Sequence, residues 1–207
     1  LLANLCSGAA NEACETTLGG SVGFDPEDIV HARLILLWGT NPLHANVHQW
    51  KFLLEAKRRG AHIVAIDPIR SQSAERCDEH LAPLPGTDAA LALGLMHVIV
   101  AEGLHDADYL ARHTLGFDRL RARLADYPPE RVAAITGLDV DEIARLARAY
   151  AETRPAAIRL MVGMEHRHNG AMAYRAIACL PALVGAWRER GGGLLYMTSR
   201  LHFAALN

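Results

Sequence analysis

The sequence predicts a three-layer α/β/α domain around a mostly parallel sheet, and three observations support this. Residues 34–38 and 62–66 are short, almost wholly apolar runs, as expected of strands that are covered on both faces. The segment between them has apolar residues at three-and-four spacing and stops at Gly60, which predicts a helix. Strand, helix and strand joined by short connections form a right-handed parallel crossover.

The rest of the chain continues this alternation. We expect further helices at about 9–17, 71–77, 87–102, 140–152 and 170–186, with the first crossover helix at 44–59 and short amphipathic helices across 106–134. We expect further strands at 80–84 and 156–162. The helix at 87–102 is apolar almost all round, which predicts burial against the sheet. Asp139 and Glu142 predict a capping box before the helix at 140–152.

Composition excludes several classes of protein. The 207 residues are 51% hydrophobic, enough for one sizeable core. The 21 basic residues are dispersed and the formal charge is −2, so the concentrated basic face that nucleic acid requires is absent. No apolar run reaches the roughly 18 residues of a membrane span. The cysteines form no C-x-x-C pair, which argues against a zinc site or a disulfide framework and favours the cytoplasm.

The turns after the predicted strands are candidate binding sites, because open α/β sheets bind ligands there. Residues 39–42 (Gly-Thr-Asn-Pro) lead into a helix whose amino end can meet a phosphate, although a plain turn explains them equally well. The G-x-G-x-x-G fingerprint of nicotinamide and flavin enzymes is absent. Asp67 ends the second strand, where it can bind ribose hydroxyls; the alternative is a turn in which Asp67 accepts from its own backbone.

Three further positions have both a structural and a chemical explanation. Asp88 is most simply a helix cap, although its two oxygens also match the adjacent N–H donors of a guanine edge. The His-x-His at 166 and 168 lacks a third ligand at recognisable spacing, so donors beside an anionic ligand are favoured over a metal site. By composition alone, Cys6 is more often a small buried side chain than a ligand.

Short motifs follow one another along the chain in a specific order. They are Cys-Ser-Gly (6–8), Gly-Gly (19–20), Asp-Pro-Glu-Asp-Ile (25–29), Leu-Leu-Trp-Gly-Thr-Asn-Pro (36–42), Ala-Ile-Asp-Pro (65–68), Leu-Pro-Gly-Thr-Asp-Ala-Ala-Leu (84–91), Gly163, His-Asn-Gly (168–170) and Gly-Gly-Gly (191–193). This ordered set resembles the molybdopterin oxidoreductases of the dimethyl sulfoxide reductase type. The resemblance covers nearly the whole chain, and the set is specific although each piece alone is not.

The resemblance implies a bis-molybdopterin guanine dinucleotide cofactor with molybdenum or tungsten, which performs two-electron redox chemistry, often with oxygen-atom transfer. Cys6 falls where the family places its protein ligand to the metal, so it is the implied catalytic and metal-binding residue. A thiolate suits such a metal and points toward the formate dehydrogenase, nitrate reductase and thiosulfate or polysulfide reductase branches. The implied cofactor-binding residues are Gly39, Thr40, Asn41, Asp67, Pro68, Pro85, Gly86, Asp88, Gly163 and His168.

The same resemblance divides the chain into an N-terminal segment with the metal ligand (1–28) and a Rossmann-like α/β domain that binds the guanine dinucleotide (29–207). The family's 4Fe-4S iron–sulfur segment and its C-terminal barrel-like domain are missing, so we expect a fragment of a longer protein, inactive alone. The whole protein should act on a small-molecule substrate and exchange electrons with a redox partner or electron-transfer subunit. An export signal in the missing N-terminus would move it from the cytoplasm to the periplasm.

Two alternatives stay open at this point. One is a non-catalytic electron-transport subunit that kept the fold and lost the metal. The other is an ordinary nucleotide-binding α/β enzyme that uses the Asp67 turn with a nicotinamide cofactor, which the missing glycine fingerprint disfavours.

Overall fold

The computed structural model describes residues 6–21 and 23–197. Within them, five strands form one sheet in the order β3-β2-β1-β4-β5, and every neighbouring pair is parallel. The strands are β1 (Leu34–Trp38), β2 (His62–Ile66), β3 (Glu79–Leu81), β4 (Ala156–Leu160) and β5 (Gly193–Leu195). The predicted parallel α/β fold is therefore confirmed.

Helices connect these strands and flank them. The α-helices are α1 (Gly8–Leu18), α2 (Pro42–Ala45), α3 (Val47–Arg58), α4 (Asp88–Ala101), α5 (Ala107–His113), α6 (Phe117–Leu124), α7 (Pro129–Thr136), α8 (Val140–Glu152) and α9 (Gly170–Leu183). Short 3-10 helices lie at Pro26–His31, Ala74–Arg76, Val162–Met164 and Ala186–Arg188. No helix in residues 6–21 and 23–197 is long and apolar enough to cross a membrane.

The sheet is buried on both faces, which gives the three layers. Alternate residues of β1 point to opposite sides, since side chains along a strand alternate. Leu36 and Trp38 belong to a large core that also contains residues of α1, α4, α8 and α9. Ile35 and Leu37 belong to a smaller core with Trp50 and other residues of α3. The continuous apolar run of β1 is thus the signature of a central strand.

Several boundaries differ from the sequence prediction for local reasons. The helix expected at 44–59 is interrupted at Asn46, whose φ of −152° is not helical. The helix expected at 71–77 is only the 3-10 turn at Ala74–Arg76. The strand expected at 80–84 is β3, which ends at Leu81 ahead of two prolines that cannot donate to a sheet. The last helix ends at Leu183, because Gly185 adopts a left-handed conformation with φ of 66°.

The strand order creates a switch point between β1 and β4. From β1 the chain passes to β2 on one side, whereas β4 leads to β5 on the other side. The connections that follow these two neighbouring strands therefore run to opposite sides of the sheet, and we call the region at the carboxyl ends of β1 and β4 the crevice. Crevices of this kind are where open α/β sheets bind their ligands. The 39–41 and 161–168 loops, which carry predicted site residues, begin at this switch point.

Candidate cofactor-binding site

Two glycines bring the loops after β1 and β4 into direct contact at the crevice. A Cβ atom on Gly163 would lie 3.0 Å from the carbonyl oxygen of Gly39. Gly39 has φ of +60°, and a Cβ there would lie 2.8 Å from Cγ of the buried Met164. Both positions thus exclude side chains, and bare backbone forms this part of the crevice. The structure brings these two predicted residues together.

The next two residues of the β1 loop differ in what they contact. Thr40 is only 6% exposed, and its hydroxyl has no hydrogen-bond partner within the described part of the chain. Buried hydroxyls in proteins nearly always have a partner, so this one is suited to a bound group. Asn41, in contrast, accepts a hydrogen bond from the Ser73 hydroxyl at 2.5 Å, and Ser73 also receives the Leu43 amide at 3.0 Å. Asn41 therefore holds the start of α2.

Asp67 forms a turn in which its side chain accepts from the backbone, which is the predicted alternative to ribose binding. Its Oδ1 accepts the Ile69 amide at 2.8 Å, while the His80 ring lies 2.8 Å from its carbonyl oxygen. Burial raises the pKa of Asp67, against the lowering effects of the Ile69 amide and of His80. The other carboxylate oxygen has acceptor capacity left, so the turn and a ligand contact are compatible. Pro68 beside it is exposed.

Asp88 is not the cap of α4. Thr87 occupies the N-cap position, and Asp88 is the first helical residue. The Asp88 carboxylate instead accepts the indole N–H of Trp38, the last residue of β1, at 2.8 Å. Burial raises the pKa of Asp88, which the Trp38 hydrogen bond opposes; Asp67 raises it further and Arg167 lowers it. Asp67, Asp88 and Arg167 therefore lie close enough for their charges to interact.

The loop before α4 also reaches the crevice. Gly86 has φ of +85°, and a Cβ there would lie 4.0 Å from Cβ of Arg167. Pro85, Gly86, Arg167 and His168 are all exposed. Arg167 is not among the residues predicted from the sequence. The signal for it is the run of basic residues that follows the predicted strand at 156–162. Exposed cationic and imidazole groups beside the two glycine loops suit an anionic ligand.

Cys6 is exposed and lies two residues ahead of α1. Its segment is joined to the β4 loop through Glu165, whose carboxylate accepts the Ala10 amide at 3.0 Å and the hydroxyl of Tyr196. The sequence gives no signal for Glu165 and Tyr196, because their contacts join three distant parts of the chain. No group of three metal-ligating side chains occurs among residues 6–21 and 23–197.

A buried arginine fixes Tyr196 from the other side of the sheet. Arg159 of β4 is 3% exposed, and it donates to the carbonyl oxygens of Tyr196 and, at 3.3 Å, Leu195. It also donates to Oε1 of Gln49 on α3 at 2.6 Å. Burial lowers the pKa of Arg159 to about 10. These contacts attach the end of β5 to β4 and so support the Glu165 region.

An all-parallel open sheet whose loops meet at a switch point is typical of α/β domains that bind a ligand at the strand ends. Residues 2–205 match the family described as "Molybdopterin oxidoreductase". The chain therefore belongs to the molybdopterin oxidoreductase family, and the resemblance read from the ordered motifs is confirmed.

Known relatives agree with this assignment. The chain is 44% identical to "Probable oxidoreductase YoaE" of Bacillus subtilis (strain 168) over 191 residues, which cover 92% of the chain and 28% of that protein. It is 34% identical to "Formate dehydrogenase H" of Escherichia coli (strain K12) over 158 residues, 76% of the chain and 22% of that protein. The structure of "Acetylene Hydratase from Pelobacter acetylenicus" matches with a TM-score of 0.79 and 34% identity, covering 88% of this chain and 25% of that one. The chain spans about a quarter of the length of these relatives.

Proposed function

We propose that this chain binds one guanine dinucleotide of a bis-molybdopterin guanine dinucleotide cofactor and supplies Cys6 as a ligand to molybdenum or tungsten. The observation that carries the proposal is the convergence of the loops after β1 and β4, and of the loop before α4, at the switch point. Two features there suit a bound group: the bare backbone at Gly39 and Gly163, and the buried hydroxyl of Thr40 without a described partner.

Each crevice residue has a role that its chemistry supports. The backbone around Gly39 and Gly163 allows a phosphate or pterin to approach closely. Asp67 accepts from ribose hydroxyls, and Asp88 accepts from the adjacent N–H groups of guanine, while Trp38 orients its carboxylate. Arg167 and His168 face the anionic pyrophosphate or the pterin. Thr40, Asn41, Pro68, Pro85 and Gly86 shape the loops around these groups.

The chemistry itself belongs to the cofactor, which supplies two-electron redox at the metal, with oxygen-atom transfer in some cases. The whole protein would act on a small molecule and pass electrons to a redox partner through a 4Fe-4S cluster in a preceding segment. The relative named formate dehydrogenase and the presence of a cysteine at position 6 favour a formate dehydrogenase, nitrate reductase or thiosulfate and polysulfide reductase type of activity. We place the protein in the cytoplasm.

Guanine nucleotide content tests the binding roles. In the whole protein, Asp67→Ala and Asp88→Ala should each lower retention of the dinucleotide, because a hydrogen bond to a charged group contributes about 1.5–3 kcal/mol, or roughly 10- to 100-fold in affinity. Guanine nucleotide released by acid, per mole of protein, measures this. Asp118→Ala, at an exposed position on α6, is the control and should retain wild-type content. Unchanged content in both crevice variants would contradict the proposal.

A further inference from the structure

Glu165 is a buried carboxylate whose position the proposed function does not yet explain. It is 8% exposed, and the contacts that the structure describes for its two oxygens are the Ala10 amide, at 3.0 Å, and the Tyr196 hydroxyl. Neither partner is a cationic side chain. Burial of a carboxylate without hydrogen bonds costs folding free energy, so the two bonds to Glu165 are needed to keep it in this position.

The contact with Ala10 lies at the amino end of α1. Ala10 is the third residue of that helix, and the first amides of a helix have no acceptor within it. The N-cap residue Ser7 makes no side-chain capping hydrogen bond. Glu165 therefore performs the capping role from another part of the chain.

The loop that carries Glu165 is tightly packed. A Cβ on Gly170 would lie 2.6 Å from the Glu165 carbonyl oxygen, and the Glu165 amide donates to the Val162 carbonyl at 3.0 Å. The neighbouring Met164 packs against Gly39, as described above. Glu165 thus has little freedom to move relative to the crevice.

Cys6 lies just ahead of the helix end that Glu165 binds. Burial raises the pKa of Tyr196, and the hydrogen bond between its hydroxyl and Glu165 raises that pKa further. Only Ser7 separates Cys6 from the first residue of α1. Fixing the first turn of α1 therefore fixes the point from which Cys6 extends.

We infer that Glu165 is the positioning residue for Cys6: by binding the amino end of α1 it sets the distance between the thiol and the crevice in which the dinucleotide lies. The inference rests on the proposed function, because it assumes that Cys6 ligates the metal. It predicts that removal of the Glu165 acceptor makes the first turn of α1 less ordered. The bond between the metal and the Cys6 sulfur should then be less well defined, whereas the dinucleotide should remain bound in the crevice.

The first test is hydrogen–deuterium exchange at the Ala10 amide in the metal-free whole protein. Glu165→Met keeps the volume and removes the acceptor, and we expect exchange at least about tenfold faster, since tenfold corresponds to 1.4 kcal/mol. Glu165→Gln keeps an acceptor oxygen and should stay within about threefold of the wild type. Glu12→Met, at an exposed position of α1, should change nothing. Wild-type exchange in folded Glu165→Met would overturn the inference.

The second test is X-ray absorption of the loaded protein at the metal edge. We expect Glu165→Met to weaken or broaden the metal–sulfur shell contributed by Cys6, with guanine nucleotide content unchanged, and Glu165→Gln to restore it. A wild-type shell in Glu165→Met would also overturn the inference. If Glu165→Met does not fold, Tyr196→Phe provides the test, because it keeps the Glu165 carboxylate and removes the phenol that donates to it. An Ala10 exchange rate and a metal–sulfur shell equal to those of the wild type would then contradict the positioning role of Glu165.

The two hypotheses fail in different ways. Identical spectra of the wild type and Cys6→Ala would refute Cys6 as a ligand and hence the proposed function. The exchange rate at Ala10 does not depend on the metal, so it separately decides whether Glu165 holds the Cys6 segment.

Discussion

At the residue scale, Asp88 shows why a local pattern can give the wrong account of what a side chain contacts. Its place just before an apolar helix predicts a cap, but its carboxylate binds Trp38, which lies 50 residues earlier in the chain. Sequence spacing carries no information on such a contact. The aspartate itself could be selected from the sequence only because it belongs to an ordered set of motifs. Glu165 belongs to no such motif, so sequence reasoning passed over it.

The raised pKa of Asp88 makes a prediction about pH. The folded chain binds this proton more tightly than the unfolded chain, so the proton stabilises the fold below the ordinary aspartate pKa, and that stability is lost as pH rises through the raised pKa. Asp88→Asn retains an acceptor for Trp38 and carries no charge. In cofactor-free protein it should therefore be more stable than the wild type at pH 7, and the difference should vanish toward about pH 4.

Urea unfolding across this pH range measures the difference, with Asp118→Asn as an exposed control. The same Asp88→Asn substitution should lower guanine nucleotide content, because an amide presents a donor where guanine requires an acceptor. A difference in stability that does not change with pH would contradict this account.

At the element scale, the central strands were the easiest features to predict. β1 and β2 match the predicted ranges, as does α8 with its Asp139–Glu142 capping box, because burial and capping leave strong local patterns. β5 was not predicted. It has three residues, begins with a glycine, and is defined only by its pairing with β4. The loops of the crevice could be located from the strand ends, but their mutual contacts could not.

The contact between the β1 and β4 loops can be tested with two glycines. Gly39 and Gly60 both have positive φ, but a Cβ on Gly60 meets nothing within 4 Å. Gly60→Ala therefore reports backbone strain alone, about 1–2 kcal/mol. Gly39→Ala adds a clash with Met164, and we expect a further loss of about 1–3 kcal/mol in the free energy of unfolding, together with loss of bound guanine nucleotide. Equal losses in the two variants would show that the loops do not pack as described.

At the scale of the whole molecule, the proposed function separates binding of the dinucleotide from turnover. The chain spans about a quarter of the length of the relatives it matches, so the proposed turnover is assigned to the whole protein and not to this chain alone. The described residues nevertheless contain a complete switch-point crevice. The family's redox chemistry is therefore a property of the whole protein, whereas recognition of the dinucleotide is assigned here to one domain.

This division predicts the behaviour of Cys6→Ala in the whole protein. Turnover should be abolished, because the proposed metal ligand is removed, whereas pterin and guanine nucleotide content should remain largely intact, because the crevice contacts do not involve Cys6. Metal, pterin and nucleotide analysis beside an activity assay measures both. Full activity would remove Cys6 from the mechanism, and a wild-type protein that holds the nucleotide without molybdenum or tungsten would favour a non-catalytic subunit.

The bonds to Glu165 also have a consequence for how the protein is assembled. Its partners lie 155 residues before it and 31 residues after it along the chain. Contacts between distant residues form late in folding, because the intervening chain must first be closed into a loop. A growing polypeptide therefore cannot complete both contacts of Glu165 until residue 196 has been made, so the proposed positioning of Cys6 becomes complete only when the end of β5 is in place.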